Sequence, residues 1–200
     1  MKFAHHCTTL HWTCTAGGRT EMKLLAIDPG TERSAYALIR ADYTIVSAAK
    51  EENRNVLRMV READYDVLAI ECMQPRFLGG EKAPGQMIGA ETYETCYMIG
   101  RCMQLAEGRG KDVQRVMRSE ERAAIIPSKR NGLPPLTGWK GTTDARIREG
   151  LIARFARFDK KNGKGTSKQR DWFYGFHADM WAAYAVGVTY LDRLGREERT

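Results

Sequence analysis

Two short apolar runs in this chain, Leu24-Leu25-Ala26-Ile27 and Val67-Leu68-Ala69-Ile70, each end on a carboxylate, Asp28 and Glu71. Apolar runs of this length, bounded by turn residues, read as buried strands. An acid at the end of a buried strand is costly unless it is paired or metal-bound. A third acid, Asp179, opens the apolar run Met180-Trp181-Ala182-Ala183-Tyr184 near the C-terminal end. One such acid can be a satisfied structural residue. Three, from the first, middle and last parts of one unit, point to a common cluster. Adjacent strand ends lie about 5 Å apart, close enough for their carboxylates to share a site.

The elements between these acids set the fold class. Strands are predicted over residues 23–27, 34–40 and 43–49, the last two joined by an Ala41-Asp42 hairpin. A charged helix with Val56, Met59 and Val60 as its apolar stripe covers 51–63, followed by a strand at 66–70. Residues 73–85 are a Pro- and Gly-rich loop. A long helix spans 86–107, with Met87, Ile88, Tyr93, Tyr97, Met98, Ile99, Met103 and Leu105 among its apolar residues. A fifth strand covers 113–117, and Ser119 reads as the N-cap of a helix with acids in its first turn. Thr143 is expected to cap a helix over 144–158 carrying Ile147, Leu151, Ile152 and Phe155. A flexible polar loop over 159–170 leads to a last helix over 178–194. Hairpin strands followed by βαβ units give an α/β fold with a mixed five-stranded sheet flanked by helices.

Two hundred residues suffice for one domain with its own core. That domain is expected over 22–195, with 196–200 as a tail and 1–21 as a disordered leader or a misassigned start. His5, His6, Cys7, His11 and Cys14 match no standard zinc spacing. No window of 18 consecutive apolar residues exists, which excludes a transmembrane helix. Five cysteines at irregular spacing argue against a secreted disulfide framework. Cys96 and Cys102 are expected to be reduced core residues. Residues 1–21 lack the apolar centre of a secretory signal. Together these features predict a cytoplasmic protein.

Net charge is +7, and its distribution matters more than its size. Residues 108–170 hold 17 Lys and Arg against 6 Asp and Glu, whereas the rest holds 15 against 19. The basicity is one segment, as expected of a phosphate-binding surface. Beside it, three carboxylates are hard oxygen ligands suited to Mg²⁺, with Mn²⁺ able to substitute. Such a cluster can hold two ions about 3.5–4 Å apart and hydrolyse a phosphodiester. Serine or cysteine nucleophiles have no support, since Cys72 faces the opposite side of its strand from Glu71.

The blocks AIDPGTERSAYALI, AIECMQ and HADMWAAYAVGVTYL, in this order and spacing, resemble the RuvC-type Holliday junction resolvases of the RNase H-like superfamily. The phage-encoded kind is the nearest likeness, through TTDARIREGLIARF followed by ADMWAAYAVG; for such an enzyme the expected task is debranching recombined DNA. The resemblance implies an RNase H-like fold and a Mg²⁺-dependent endonuclease that leaves 5′-phosphate ends. It implies Asp28, Glu71 and Asp179 as metal ligands and catalytic residues, with Asp28 between the two ions. It further implies DNA contacts from Lys129, Arg130, Lys140, Arg146 and Arg148. Arg76 and Phe77 fall in the loop after Glu71, where the family can insert a side chain into the opened junction. Partners implied are branched DNA, a four-way junction foremost, and a second copy in a homodimer, with no membrane and no nucleotide cofactor. The chain departs from the family at Phe176, where better-known members carry a fourth ligand. His177 is the nearest substitute for a metal or proton-transfer role; Asp171 and Asp144 are weaker ones.

Two other readings stay open. One is an RNase H-like nuclease acting on RNA precursors. The other is a catalytically inactive branched-DNA-binding protein. A sugar-kinase or actin-like ATPase shares the Asp-x-Gly-Thr opening but needs a second domain and a second Gly-rich phosphate loop, and neither is present in the sequence.

Overall fold

The computed structural model describes residues 22–73, 89–126 and 142–198. Five strands form one sheet: β1 (Lys23–Asp28), β2 (Arg33–Arg40), β3 (Ile45–Glu52), β4 (Val67–Cys72) and β5 (Asp112–Met117). Their order is β3-β2-β1-β4-β5. β1 to β3 form an antiparallel meander, while β4 and β5 join parallel to β1. Five helices flank the sheet: α1 (Asn53–Glu62), α2 (Ala90–Gly108), α3 (Arg118–Ile125), α4 (Thr143–Phe155) and α5 (Met180–Glu197). This is the mixed α/β architecture expected from the sequence.

Period-two alternation splits the core in two. Leu25, Ile27, Leu68 and Ile70 pack against α1 and α2 through Val56, Leu57, Val60, Met98 and Cys102. Leu24, Ala26, Val67 and Ala69 face the other way, towards α3, α4 and α5. Ala26 pairs with Ala37 and Ala69, and Ala37 with Ala48. This row of small side chains lets α5 sit close to the sheet. A Cβ on Gly187 of α5 would lie 2.6 Å from Ile39 Cδ1 and 3.1 Å from Ala26 Cβ. α5 accordingly buries eleven residues. Among the described residues no helix is long and apolar enough to cross a membrane.

Several boundaries differ from the sequence expectation, each for a local reason. α3 starts a residue before Ser119; the Met117 N–H donates to the Glu120 carboxylate at 2.7 Å, so Glu120 caps the helix and Ser119 lies inside it. Thr142, not Thr143, caps α4, its hydroxyl accepting from Ala145 N–H. α4 stops at Phe155 because the next free N–H groups, of Arg157, Phe158 and Asp159, donate to Asp171 instead. α5 begins at Met180 because Ala178 takes φ 42°, outside the helical region. Cys96 is exposed, and only Cys102 of that pair is in the core. The segment expected to be a flexible loop over 159–170 is a built structure. The histidine- and cysteine-bearing stretch 1–21 and residues 86–88 of the predicted long helix lie outside the described residues.

Candidate active site

Asp28 and Glu71 have the parity of Ala26 and Ala69, so both face the α5 side of the sheet. Parallel pairing of Ile27 with Ile70 places them side by side at adjacent strand ends. Cys72 falls on the opposite face, in the core. α5 runs across this face with Asp179 as its N-terminal flanking residue. The three acids line one cleft of about 880 Å³, together with Arg118, Asp144 and Trp181.

The turn after Asp28 is fixed by two polar side chains that the sequence reading did not single out. Gly30 N–H donates to Ser34 Oγ at 3.1 Å, and Ser34 Oγ donates to Asn53 Oδ1 at 2.6 Å. Asn53 Nδ2 donates to the carbonyls of Gly30 and Thr31 at 3.0 and 2.9 Å. A side chain at position 30 would place its Cβ 2.3 Å from the Arg33 carbonyl oxygen, so glycine is required. The Asp-Pro-Gly-Thr turn is thus clamped from β2 and α1.

The electrostatics are those of crowded acids in a dry place. Burial, reinforced by the charge of Glu71 and a hydrogen bond with it, and by Asp179 and Glu121, pushes Asp28 up to about 8. Glu121 on α3 is fully buried and is pushed up to about 8 by burial and then by Glu71, against the opposing pull of Arg118. Arg118 gathers the acids: its guanidinium lies 2.6 Å from Glu121 and 3.9 Å from Glu71, and it pairs with Asp144. Lys50 pairs with Asp179. Its reach follows from register, since Asp28 pairs with Ala35 and Ala35 with Lys50. Lys50 therefore lies on the same face two strands away, with only an alanine between.

Glu121, Arg118 and Lys50 were not found from the sequence. For Glu121 a signal exists. The buried stripe of α3 is Glu121, Ala124 and Ile125, so helical spacing carries the Ala124–Ile125 face back one turn onto Glu121. No local pattern marks Lys50, which meets Asp179 across 129 positions.

A divalent cation suits this donor set. It is all carboxylate oxygen, and Glu121 Oε1 is buried without a hydrogen-bond partner among the described residues. Two of the acids, Asp28 and Glu121, are held towards protonation by burial first and by neighbouring carboxylates second. Among the described residues, no three His, Cys, Asp or Glu side chains already converge as a metal-holding group. Asp179, 49% exposed, is turned to Lys50, and Glu71 faces Arg118. Joint ligation therefore requires side chains to turn.

The remaining sequence candidates divide cleanly. His177 is exposed and is not among the residues lining the cleft. Asp171 is held by four backbone N–H groups and has no lone pairs to spare for a shared ligand role. Asp144 does line the cleft. Phe176 is buried against the rings of Phe173, Trp181 and Tyr184, so this position belongs to the core. Arg148 stacks over Trp181 at 4.9 Å beside the cleft, and Arg146 keeps a buried, unpartnered Nε. Arg76, Phe77, Lys129, Arg130 and Lys140 lie outside the described residues.

No protein-family profile matches the sequence, and no curated protein matches it. Solved structures do. RuvC of T. thermophilus in complex with Holliday junction substrate superposes with a TM-score of 0.53 at 10% identity, covering 87% of this chain and 96% of that one. A Thermus thermophilus RuvC structure gives 0.51 at 13% identity, covering 87% and 97%. At this identity the likeness concerns the fold, which is the RNase H-like fold of RuvC.

Proposed function

We propose that this chain is a divalent-metal-dependent endonuclease that cuts branched DNA, four-way junctions foremost. The observation that carries the reading is the placing of Asp28 and Glu71 side by side on the α5 face, with Asp179 at the start of α5. The junction bound by the RuvC structure of the same fold supports branched DNA as the substrate class. Asp28, Glu71 and Asp179 would hold the metal, Mg²⁺ or Mn²⁺. Bound there, it supplies an activated water and charge stabilisation for phosphodiester hydrolysis. Asp28 is partly buried at the end of β1, and the Ser34–Asn53 clamp keeps its strand end in place. Arg118 restrains Glu71 and Glu121 against their mutual repulsion. Lys50 holds Asp179 at the cleft mouth and offers a positive charge to an incoming phosphate. The products are nicked strands with 5′-phosphate and 3′-hydroxyl ends, and two copies act together on the two symmetric strands of a junction.

A second reading, a branched-DNA binder without catalysis, draws on one feature. Phe176 occupies the core where related enzymes place a fourth ligand, and Asp179 is tied to Lys50. One assay separates the two. A labelled four-way junction is incubated with the protein and Mg²⁺, Mn²⁺ or EDTA, beside linear duplex and single-stranded RNA. Cleavage of the junction is expected with metal, lost with EDTA, and reduced at least about 10³-fold in Asp28→Asn while binding persists. Tight binding without cutting under every metal establishes the second reading. Cutting of RNA alone moves the chain to the precursor-RNA nucleases.

A further inference from the structure

Between α4 and α5, residues 156–176 form no regular element beyond an isolated bridge between Gly165 and Arg170. They are nonetheless built on two carboxylates held by backbone N–H groups. Asp171 accepts from the N–H groups of Arg157, Phe158, Asp159 and Trp172 at 2.7–3.0 Å. Asp159 accepts from Asn162, Lys164 and Gly165 at 2.9–3.2 Å. Gly163 and Gly165 take φ 71° and 67°, and a Cβ on Gly165 would lie 2.2 Å from the Gln169 carbonyl oxygen. Phe173, fully buried, anchors the knob to the core.

This construction ties both acids to the backbone and leaves cations facing outward. Residues 157–170 carry six Lys and Arg and a single acid, Asp159, whose charge is taken up by backbone N–H groups. Outside this segment Lys23, Lys50, Arg54, Arg118, Arg154 and Arg193 meet carboxylates. Lys160, Lys161, Lys168 and Arg170 are exposed, and among the described residues none of them is in an ion pair. Two aromatic rings share the knob, Phe158 at 45% and Tyr174 at 42% exposure, the second under the Arg170 guanidinium. Fixed cations interleaved with exposed rings suit phosphates and the sugars or bases beside them. Five residues after Tyr174 the chain reaches Asp179.

We propose that this knob is a preformed clamp for the phosphate backbone of a DNA arm leaving the acidic cleft. The inference rests on the nucleic-acid reading above and adds a second contact surface outside the cleft. It distinguishes a fixed surface from a diffuse cloud of lysines.

The test uses full-length protein in an Asp28→Asn background, so that cutting does not interfere. Binding to a labelled four-way junction is followed by fluorescence anisotropy across a salt series. Replacing Lys160, Lys161, Lys168 and Arg170 together by Gln should lower the slope of log Kd against log salt by about 3 to 4, at about 0.9 per phosphate contact. Gly165→Val keeps every charge but cannot keep the turn; it should weaken binding in the same direction while thermal unfolding still shows a folded core. An unchanged slope in the Gln variant overturns the proposal and leaves the surface to an acidic protein. A reduced slope in the Gln variant with wild-type binding by Gly165→Val also overturns it, because the charge then acts without the built shape. If wild-type protein binds duplex as well as junction, the junction reading fails, and the slope comparison on duplex still decides the clamp.

Discussion

Asp171 is a buried carboxylate that the fold has made stable by surrounding it with donors. Burial alone would raise its pKa; the N–H groups of Arg157, Asp159, Phe158 and Trp172 outweigh it and hold the carboxyl well below the usual range. A folded-state pKa below the unfolded value of about 3.8 means that ionised Asp171 favours the native state. That stability is present above about pH 4 and is lost as pH falls through the folded pKa. Asp171→Ala should cost about 2 to 3 kcal/mol at neutral pH, read by urea unfolding, because hydrogen bonds to a charged group are lost and buried N–H groups are orphaned. Between pH 5 and pH 2 (roughly the window of the shift) the wild type should lose more stability than Asp171→Asn; parallel curves would refute the assignment. The sequence placed Asp171 only among weak ligand candidates, since its partners lie 12 to 14 positions away. Asp28, Glu71 and Asp179 stood out in the sequence because each ends or opens an apolar run. Lys50 and Arg118 stood out in nothing, because a surface cation and a site cation have the same local pattern.

At the level of elements, the sheet and its flanking helices were legible because strand and helix periods differ and acids punctuate the strand ends. The ends of helices were less so. α3 is capped by a glutamate inside its own first turn and α4 is cut short by a distant aspartate, and neither follows from the nearest Ser or Thr. The element that most controls the site is α5, which carries Asp179 and is buried along most of its length. Its depth is set by contacts between small residues: Gly187 on the helix, and Ala26, Ala37, Ala48 and Ala69 on the sheet below. Gly187→Val should force α5 off the sheet against Ile39 and Ala26. Overpacking of this kind costs about 1 to 3 kcal/mol, which a lowered thermal midpoint reports. The same displacement should depress metal-dependent cleavage more than DNA binding, because Asp179 moves with the helix while the basic surfaces do not.

At the level of the whole molecule, one face of α2 meets no other element among the described residues. Its buried side uses Met98, Ile99, Cys102 and Ala106. Tyr93 and Tyr97, one turn apart, are 63% and 65% exposed, with Arg101 over the Tyr97 ring. The apolar residues read along this helix from the sequence therefore divide between a core stripe and an outward aromatic stripe, which periodicity alone did not separate. Aromatic side chains with a neighbouring arginine are the residue types enriched at protein interfaces. In the proposed homodimer this stripe belongs to the contact between copies. Tyr93→Glu combined with Tyr97→Glu places like charges across a two-fold axis and should shift the protein from dimer to monomer in sedimentation experiments at micromolar concentration. Thermal stability should be nearly unchanged, since neither ring is in the core. The monomer should still nick a junction with metal, because every cleft residue comes from one chain, but the two incisions should no longer be paired in time. A double variant that stays dimeric would move the interface off this face, and one that is monomeric yet cuts both strands together would remove the need for a dimer.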